Sequence, residues 1–81
     1  MDMIRVLLAD DEPLIRAGLA TILQASGSIT IVGEVSTGKQ AVAEAQRLQP
    51  DVICMDIRMP DGDGLEATRL IQQLNPTPAV I

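Results

Sequence analysis

Apolar positions in this chain fall into two kinds of segment: short aliphatic runs, and longer stretches in which apolar residues recur every three or four positions. Ile4 to Ala9 (IRVLLA) is the first run, β-branched at intervals and closed by Asp10-Asp11. It predicts a strand covered on both faces, as in a parallel sheet. Pro13 opens the first helical stretch. Its missing N–H costs nothing in a first turn, and Asp11 or Glu12 ahead of it favours the helix dipole. Leu14, Ile15, Gly18, Leu19, Ile22 and Leu23 share one apolar face, and Ser26-Gly27 supplies a left-handed cap.

The alternation then repeats. Ile29 to Val35 (ITIVGEV) reads as a second strand, and Ser36-Thr37-Gly38 as a turn with helix-capping chemistry. Ala41, Val42, Ala45 and Leu48 mark the inner face of a second helix, which Gln49-Pro50-Asp51 ends because a residue before proline is pushed out of helical angles. Val52 to Met55 is a third strand, Leu65 to Leu74 a third helix with Thr68, Ile71 and Leu74 on one face, and Asn75-Pro76-Thr77-Pro78 its stop. Ala79-Val80-Ile81 reads as the first residues of a fourth strand. The order β-α-β-α-β-α-β implies an α/β fold, a parallel sheet with helices on both faces and right-handed crossovers.

Composition narrows the class. The 81 residues allow one domain, which at this size buries roughly 60% of its chain surface on folding. Hydrophobic residues make up 47% without a single Phe, Tyr or Trp, so the core is aliphatic and base stacking is unavailable. Six Lys/Arg against eleven Asp/Glu give a net charge of −5, which argues against direct contact with nucleic acid. Cys54 is the only cysteine and lies within an apolar run, where it reads as a small hydrophobe rather than a reactive thiol. No apolar stretch is long enough to span a membrane and no signal-peptide pattern is present, so the expected location is cytoplasmic.

The candidate chemistry lies at strand ends, because open parallel sheets gather ligands where strands finish at their carboxyl ends. Asp10-Asp11 follows the first strand, and Asp56 closes the third, inside Val52 to Gly64 (VICMDIRMPDGDG). If those strands are neighbours, three carboxylates converge, and like charges so close either share a proton or hold a cation. Oxygen-only ligands suit Mg²⁺. A carboxylate beside Mg²⁺ can attack a phosphoryl group and form an acyl phosphate.

Asp10-Asp11, then DEPLIRAGL, then VICMDIRMPDGDGLEA together resemble the receiver domain of two-component response regulators, over the whole chain. The likeness is to receivers that precede a helix-turn-helix DNA-binding domain. It implies a flavodoxin-like doubly wound sheet of order 2-1-3-4-5, of which residues 1–81 are the N-terminal portion. Asp56 would be the phosphoacceptor, taking phosphate from a sensor histidine kinase. Mg²⁺ would be held by Asp10, Asp11, Asp56 and the backbone carbonyl of Arg58, with Asp10 acting mainly through water. Met59-Pro60 would shape the loop, and Gly64 would supply a turn before the third helix. Such a module is expected not to be a turnover enzyme.

Receivers also carry a Ser/Thr at the end of strand four and a Lys at the end of strand five, and both positions lie beyond Ile81. The expectation is therefore poor phosphorylation or none of these residues alone. The alternative function is a fragment without phosphotransfer that self-associates through an exposed sheet edge, a homo-oligomer completing its sheet by association or element exchange.

Three other patterns match less well, the last of them kept as the least favoured alternative function. Gly33 to Lys39 has P-loop glycine and lysine spacing, but Gln40 stands where Ser/Thr is required and Gly33 falls in a strand. Asp61-Gly-Asp63-Gly64 hints at a calcium loop, but Leu65 and Glu66 occupy ligand and glycine positions; the two acids are expected to shape the turn and cap the third helix. Aspartate-nucleophile phosphohydrolases need a second Asp two residues on, where Arg58 follows Asp56 and Glu12 follows Asp10.

Overall fold

The computed structural model describes residues 3–56, 58, 59 and 64–81. Its elements run β1 (Ile4–Ala9), α1 (Pro13–Gln24), β2 (Ile29–Val35), α2 (Gly38–Leu48), β3 (Val52–Met55), α3 (Gly64–Ile71) and β4 (Ala79–Val80). The four strands are parallel and ordered β2-β1-β3-β4, the doubly wound arrangement expected of the flavodoxin-like fold.

The central place of β1 explains why it is apolar and buried from Val6 to Ala9. Leu7 and Ala9 point to one side, where they join Val35, Ala41, Ala45, Ile53, Met59 and Ile71 under α2 and α3. Val6 and Leu8 point to the other side and meet Ala20 of α1. A register shift between Val6 and Leu7 places Leu7 opposite Gly33 of β2. A Cβ at Gly33 would come within 2.9 Å of Leu48 Cδ1 and 3.1 Å of Leu7 Cδ1, so this glycine admits the α2 side chains to the sheet. Gly33 is a packing residue.

The caps follow their chemistry. Thr37 Oγ1 accepts from the Gln40 N–H and starts α2. Gln49 leaves right-handed helical angles as expected, but into the left-handed region (φ 49°, ψ 58°) rather than an extended one. Its carbonyl and that of Leu48 accept from the Arg5 guanidinium at 2.8 Å each, so a β1 side chain completes the α2 terminus. Gly27 has φ 80°, the left-handed turn predicted after α1.

Three expectations change. The stripe of α1 that packs on the sheet is Arg16, Ala20 and Leu23, whereas Leu14 is 89% and Ile22 69% exposed. Regular spacing identifies an apolar stripe but not whether a neighbour covers it. Helix α3 closes at Ile71 rather than Leu74, because Gln73 and Leu74 turn back onto the carbonyls of Leu70 and Ile71 in three-residue steps. Gly64 is buried as the first residue of α3 and its carbonyl accepts from Thr68 Oγ1, so it belongs to the helix instead of a preceding turn. The expected roles of Pro60, Asp61 and Asp63 lie outside the described residues.

Candidate metal centre

Parallel pairing of β1 with β3 sets Ala9 opposite Met55. One residue further, each strand ends in a carboxylate. The Asp56 N–H donates to the Ala9 carbonyl at 3.0 Å and the Asp10 N–H to the Val35 carbonyl at 3.0 Å, so both ends are pinned to their neighbours. Asp11 follows directly. One oxygen from each of Asp10, Asp11 and Asp56 lies within 4.8 Å of the others. Asp10 and Asp56 are half-buried and Asp11 is exposed.

The carboxylates are restrained in a consistent way. Asp10 Oδ1 accepts from the Glu12 N–H at 2.8 Å, which turns the chain sharply into α1. Asp56 Oδ1 accepts from the Arg58 N–H at 2.9 Å. Among the described residues neither Oδ2 accepts a hydrogen bond, so each acid keeps an oxygen for a ligand. Three hard oxygen donors at this separation, half open to water, fit Mg²⁺, which is bound through few carboxylates and keeps part of its water shell. Arg58 stands in a turn beside Asp56, and its Nε approaches Asp56 Oδ1 at 3.5 Å. Its side chain is 86% exposed, so that ion pair is weak.

Met59, expected to shape the loop, does so from the core, where it is 2% exposed. One contributor was not foreseen from sequence. Arg16 donates from Nη1 to the Asp10 carbonyl at 2.7 Å and from Nε to Glu34 Oε1 at 3.2 Å. It sits on the stripe of α1 that faces the sheet, where apolar spacing carries no signal for a cation. Cys54 is half-buried on β3, and burial pushes its thiol above the usual range, which disfavours the reactive thiolate.

Residues 6–81 match the family model for the response regulator receiver domain. The chain belongs to that family. Among curated relatives, protein-glutamate methylesterase/protein-glutamine glutaminase 4 of Myxococcus xanthus is 49% identical over 80 residues, covering 99% of this chain and 23% of that protein. Transcriptional regulatory protein LiaR of Bacillus subtilis is 47% identical over 79 residues, covering 98% of this chain and 37% of that protein. The signal receiver domain of the response regulator NarL from Mycobacterium tuberculosis superposes with a TM-score of 0.90 at 34% identity, covering 99% of this chain and 64% of that one. The chain thus spans between 20% and 37% of the length of the curated relatives it matches.

The relatives correct one expectation. A receiver of this kind was expected not to be an enzyme, yet its match in Myxococcus xanthus is a segment of one. The physical reason is that a strand-end acidic site says nothing of the output joined to it. Segments similar to this chain over 80 and 79 residues occur in a methylesterase and in a transcriptional regulator. Among the described residues no helix is long and apolar enough to cross a membrane.

Proposed function

We propose that this receiver accepts a phosphoryl group on Asp56 from a sensor histidine kinase, with Mg²⁺ held by Asp10, Asp11, Asp56 and the backbone carbonyl of Arg58. The observation that carries the reading is the convergence of three carboxylate oxygens within 4.8 Å at the ends of two adjacent strands. With Oδ1 of Asp56 engaged by the Arg58 N–H, Oδ2 is the oxygen left to attack in line. The new bond joins that oxygen to phosphorus, and the bond that breaks joins phosphorus to the donor's histidine nitrogen. Mg²⁺, when bound, supplies neutralisation of charge on the transferring group. The protein's own part is to fix the Asp56 backbone to Ala9 and to hold Oδ1 still.

In this reading residues 1–81 are the N-terminal portion of a receiver domain, supported by their 64% share of the NarL receiver. The whole protein controls transcription, supported by LiaR, and a separate domain contacts DNA, which the acidic balance of −5 favours. The methylesterase relative marks the rival output, an enzyme gated by the same switch. The location is cytoplasmic, where a lone free thiol suits a reducing compartment. Intact mass after treatment with acetyl phosphate and Mg²⁺ tests the reading, on this chain and on a version extended through the rest of a receiver domain. One phosphoryl group on the extended chain is expected, and little or none on this one. An extended chain that folds and stays unmodified would overturn the assignment.

A second reading, self-association with another copy, is favoured by the open side of the molecule. Leu14, Ile15, Ile22 and Ile81 are 89%, 47%, 69% and 75% exposed. Ile81 joins Leu8, Leu19, Leu23, Cys54 and Met55 in lining a mainly apolar cleft of about 350 Å³, which Asp10 and Asp56 also border. Ala79 and Ile81 donate their N–H groups to the Asp51 and Ile53 carbonyls on the β3 side, which leaves the Val80 N–H facing outward on an edge that is unpaired among the described residues. Light scattering is expected to show a dimer or larger species at working concentrations, with Ile22→Glu shifting it to monomer. A monodisperse wild-type monomer counts against the idea.

A further inference from the structure

Besides Arg58, which pairs weakly with Asp56, a second cation beside the acidic trio bonds to a backbone carbonyl and to none of its carboxylates. Arg16 spans from the inner stripe of α1 to the Asp10 carbonyl at 2.7 Å, while its Nε is held by Glu34 Oε1 of β2 at 3.2 Å. The Arg16 side chain is 20% exposed and that of Glu34 is 42% exposed. As a plain surface ion pair the Arg16–Glu34 contact would be worth little. The bond to the Asp10 carbonyl is different, because a charged donor at short range restrains the peptide group that joins Asp10 to Asp11.

Asp10 is then held at three points. Its N–H is on the Val35 carbonyl at 3.0 Å, its Oδ1 on the Glu12 N–H at 2.8 Å, and its carbonyl on Arg16. Among the described residues Asp11 has no comparable anchor of its own: it is exposed, and its backbone is joined directly to the peptide that Arg16 clamps. We propose that Arg16, oriented by Glu34, is a positioning residue that keeps the Asp11 carboxylate beside Asp10 and Asp56 within reach of one divalent cation. The inference rests on the reading that this trio takes such a cation. It also ties the far strand β2 to the site, through Glu34 and the Val35 carbonyl.

The sign of one measurement separates this role from simple electrostatics. A guanidinium near a divalent cation repels it, so if charge alone mattered, Arg16→Ala would tighten binding. A lost clamp loosens it. Mn²⁺ titration followed by the electron paramagnetic resonance signal of the free ion is expected to show binding weakened tenfold or more in Arg16→Ala. Arg16→Lys is expected to be intermediate, since one ammonium cannot serve the carbonyl and Glu34 together. Glu34→Gln keeps an oxygen acceptor for Nε and is expected to stay within about threefold of wild type.

Melts without cation establish that each variant folds. Should Arg16→Ala fail to fold, Arg16→Lys decides, with several-fold weakening expected. Mn²⁺ binding in the folded Arg16 variant that equals or exceeds wild type overturns the positioning role. Wild type that binds no Mn²⁺, or an Asp56→Asn variant that binds as well as wild type, overturns the underlying site assignment and this inference with it.

Discussion

Asp56→Asn is expected to abolish phosphoryl acceptance while making the cation-free protein more stable. An amide oxygen is no nucleophile, so a version extended through the rest of a receiver domain should show no added phosphoryl group by intact mass. A variant still modified would place the acceptor elsewhere. The stability change comes from the same geometry. Asp10, Asp11 and Asp56 bring three carboxylate oxygens within 4.8 Å. Two unit charges about 4 Å apart near a protein surface interact by roughly 4 kcal/mol at most, and exposure of Asp11 with ordinary salt screens much of that. Asn keeps the oxygen that accepts from the Arg58 N–H but removes the charge.

A rise on the order of 1 kcal/mol is therefore expected in urea melts without divalent ion, shrinking as salt is raised. Added Mg²⁺ should reverse the ranking. At a hundred times its dissociation constant a cation stabilises wild type by about 2.7 kcal/mol, and the variant should lose most of that increment. Equal Mg²⁺ stabilisation of both proteins would show that Asp56 is not part of the cation site.

Much of this arrangement could be read from residue order. Ile4–Ala9, Ile29–Val35 and Val52–Met55 keep their predicted bounds because each is a largely aliphatic run stopped by Asp10, by the Ser36-Thr37-Gly38 turn, or by Asp56. The aliphatic stretch of β1 after Arg5 correctly implied burial on both faces, as Leu7 and Leu8 on opposite faces show at 0% and 1% exposure. The adjacency of β1 and β3, on which the acidic centre depends, could not be read from periodicity. Residue pattern left it conditional, and the family resemblance supplied it.

What stayed hidden was three-dimensional. The α1 stripe of Leu14, Ile15, Leu19 and Ile22 is as apolar as a core stripe, but contact requires a partner surface. Arg16 and Arg5 act through backbone carbonyls that lie 6 and more than 40 positions away in the chain. No local pattern encodes such a pairing.

The largest effect on folding is expected at Ile53, and its size follows from the unequal filling of the two faces. Ile53 lies on β3 opposite Leu7 of β1 and Val80 of β4, and it is 0% exposed. It belongs to the larger core, with Ala41, Ala45, Met59 and Ile71 from α2, α3 and the loop after Asp56. Ile53→Ala leaves a cavity walled by strands on both sides that cannot collapse, at a cost of about 3–4 kcal/mol. An 81-residue domain at about 0.05–0.15 kcal/mol per residue has only about 4–12 kcal/mol to lose. The variant should be largely unfolded at modest urea, if it folds at all.

Cys54, the next residue along, points to the other face, where Val6, Leu8 and Ala20 form a smaller cluster under α1 alone. It is half-buried, and Cys54→Ala should cost under about 1 kcal/mol. Ile53→Val, costing about 1 kcal/mol, keeps the comparison measurable if the alanine variant does not fold. Midpoints that fall equally for Ile53→Val and Ile53→Ala, or further for Cys54→Ala than for either, would mean that the core does not lie between the sheet and the α2–α3 layer. Since Met59 in that layer anchors the loop following Asp56, loosening Ile53 should also loosen the acidic centre, and cation affinity should fall in step with the midpoint.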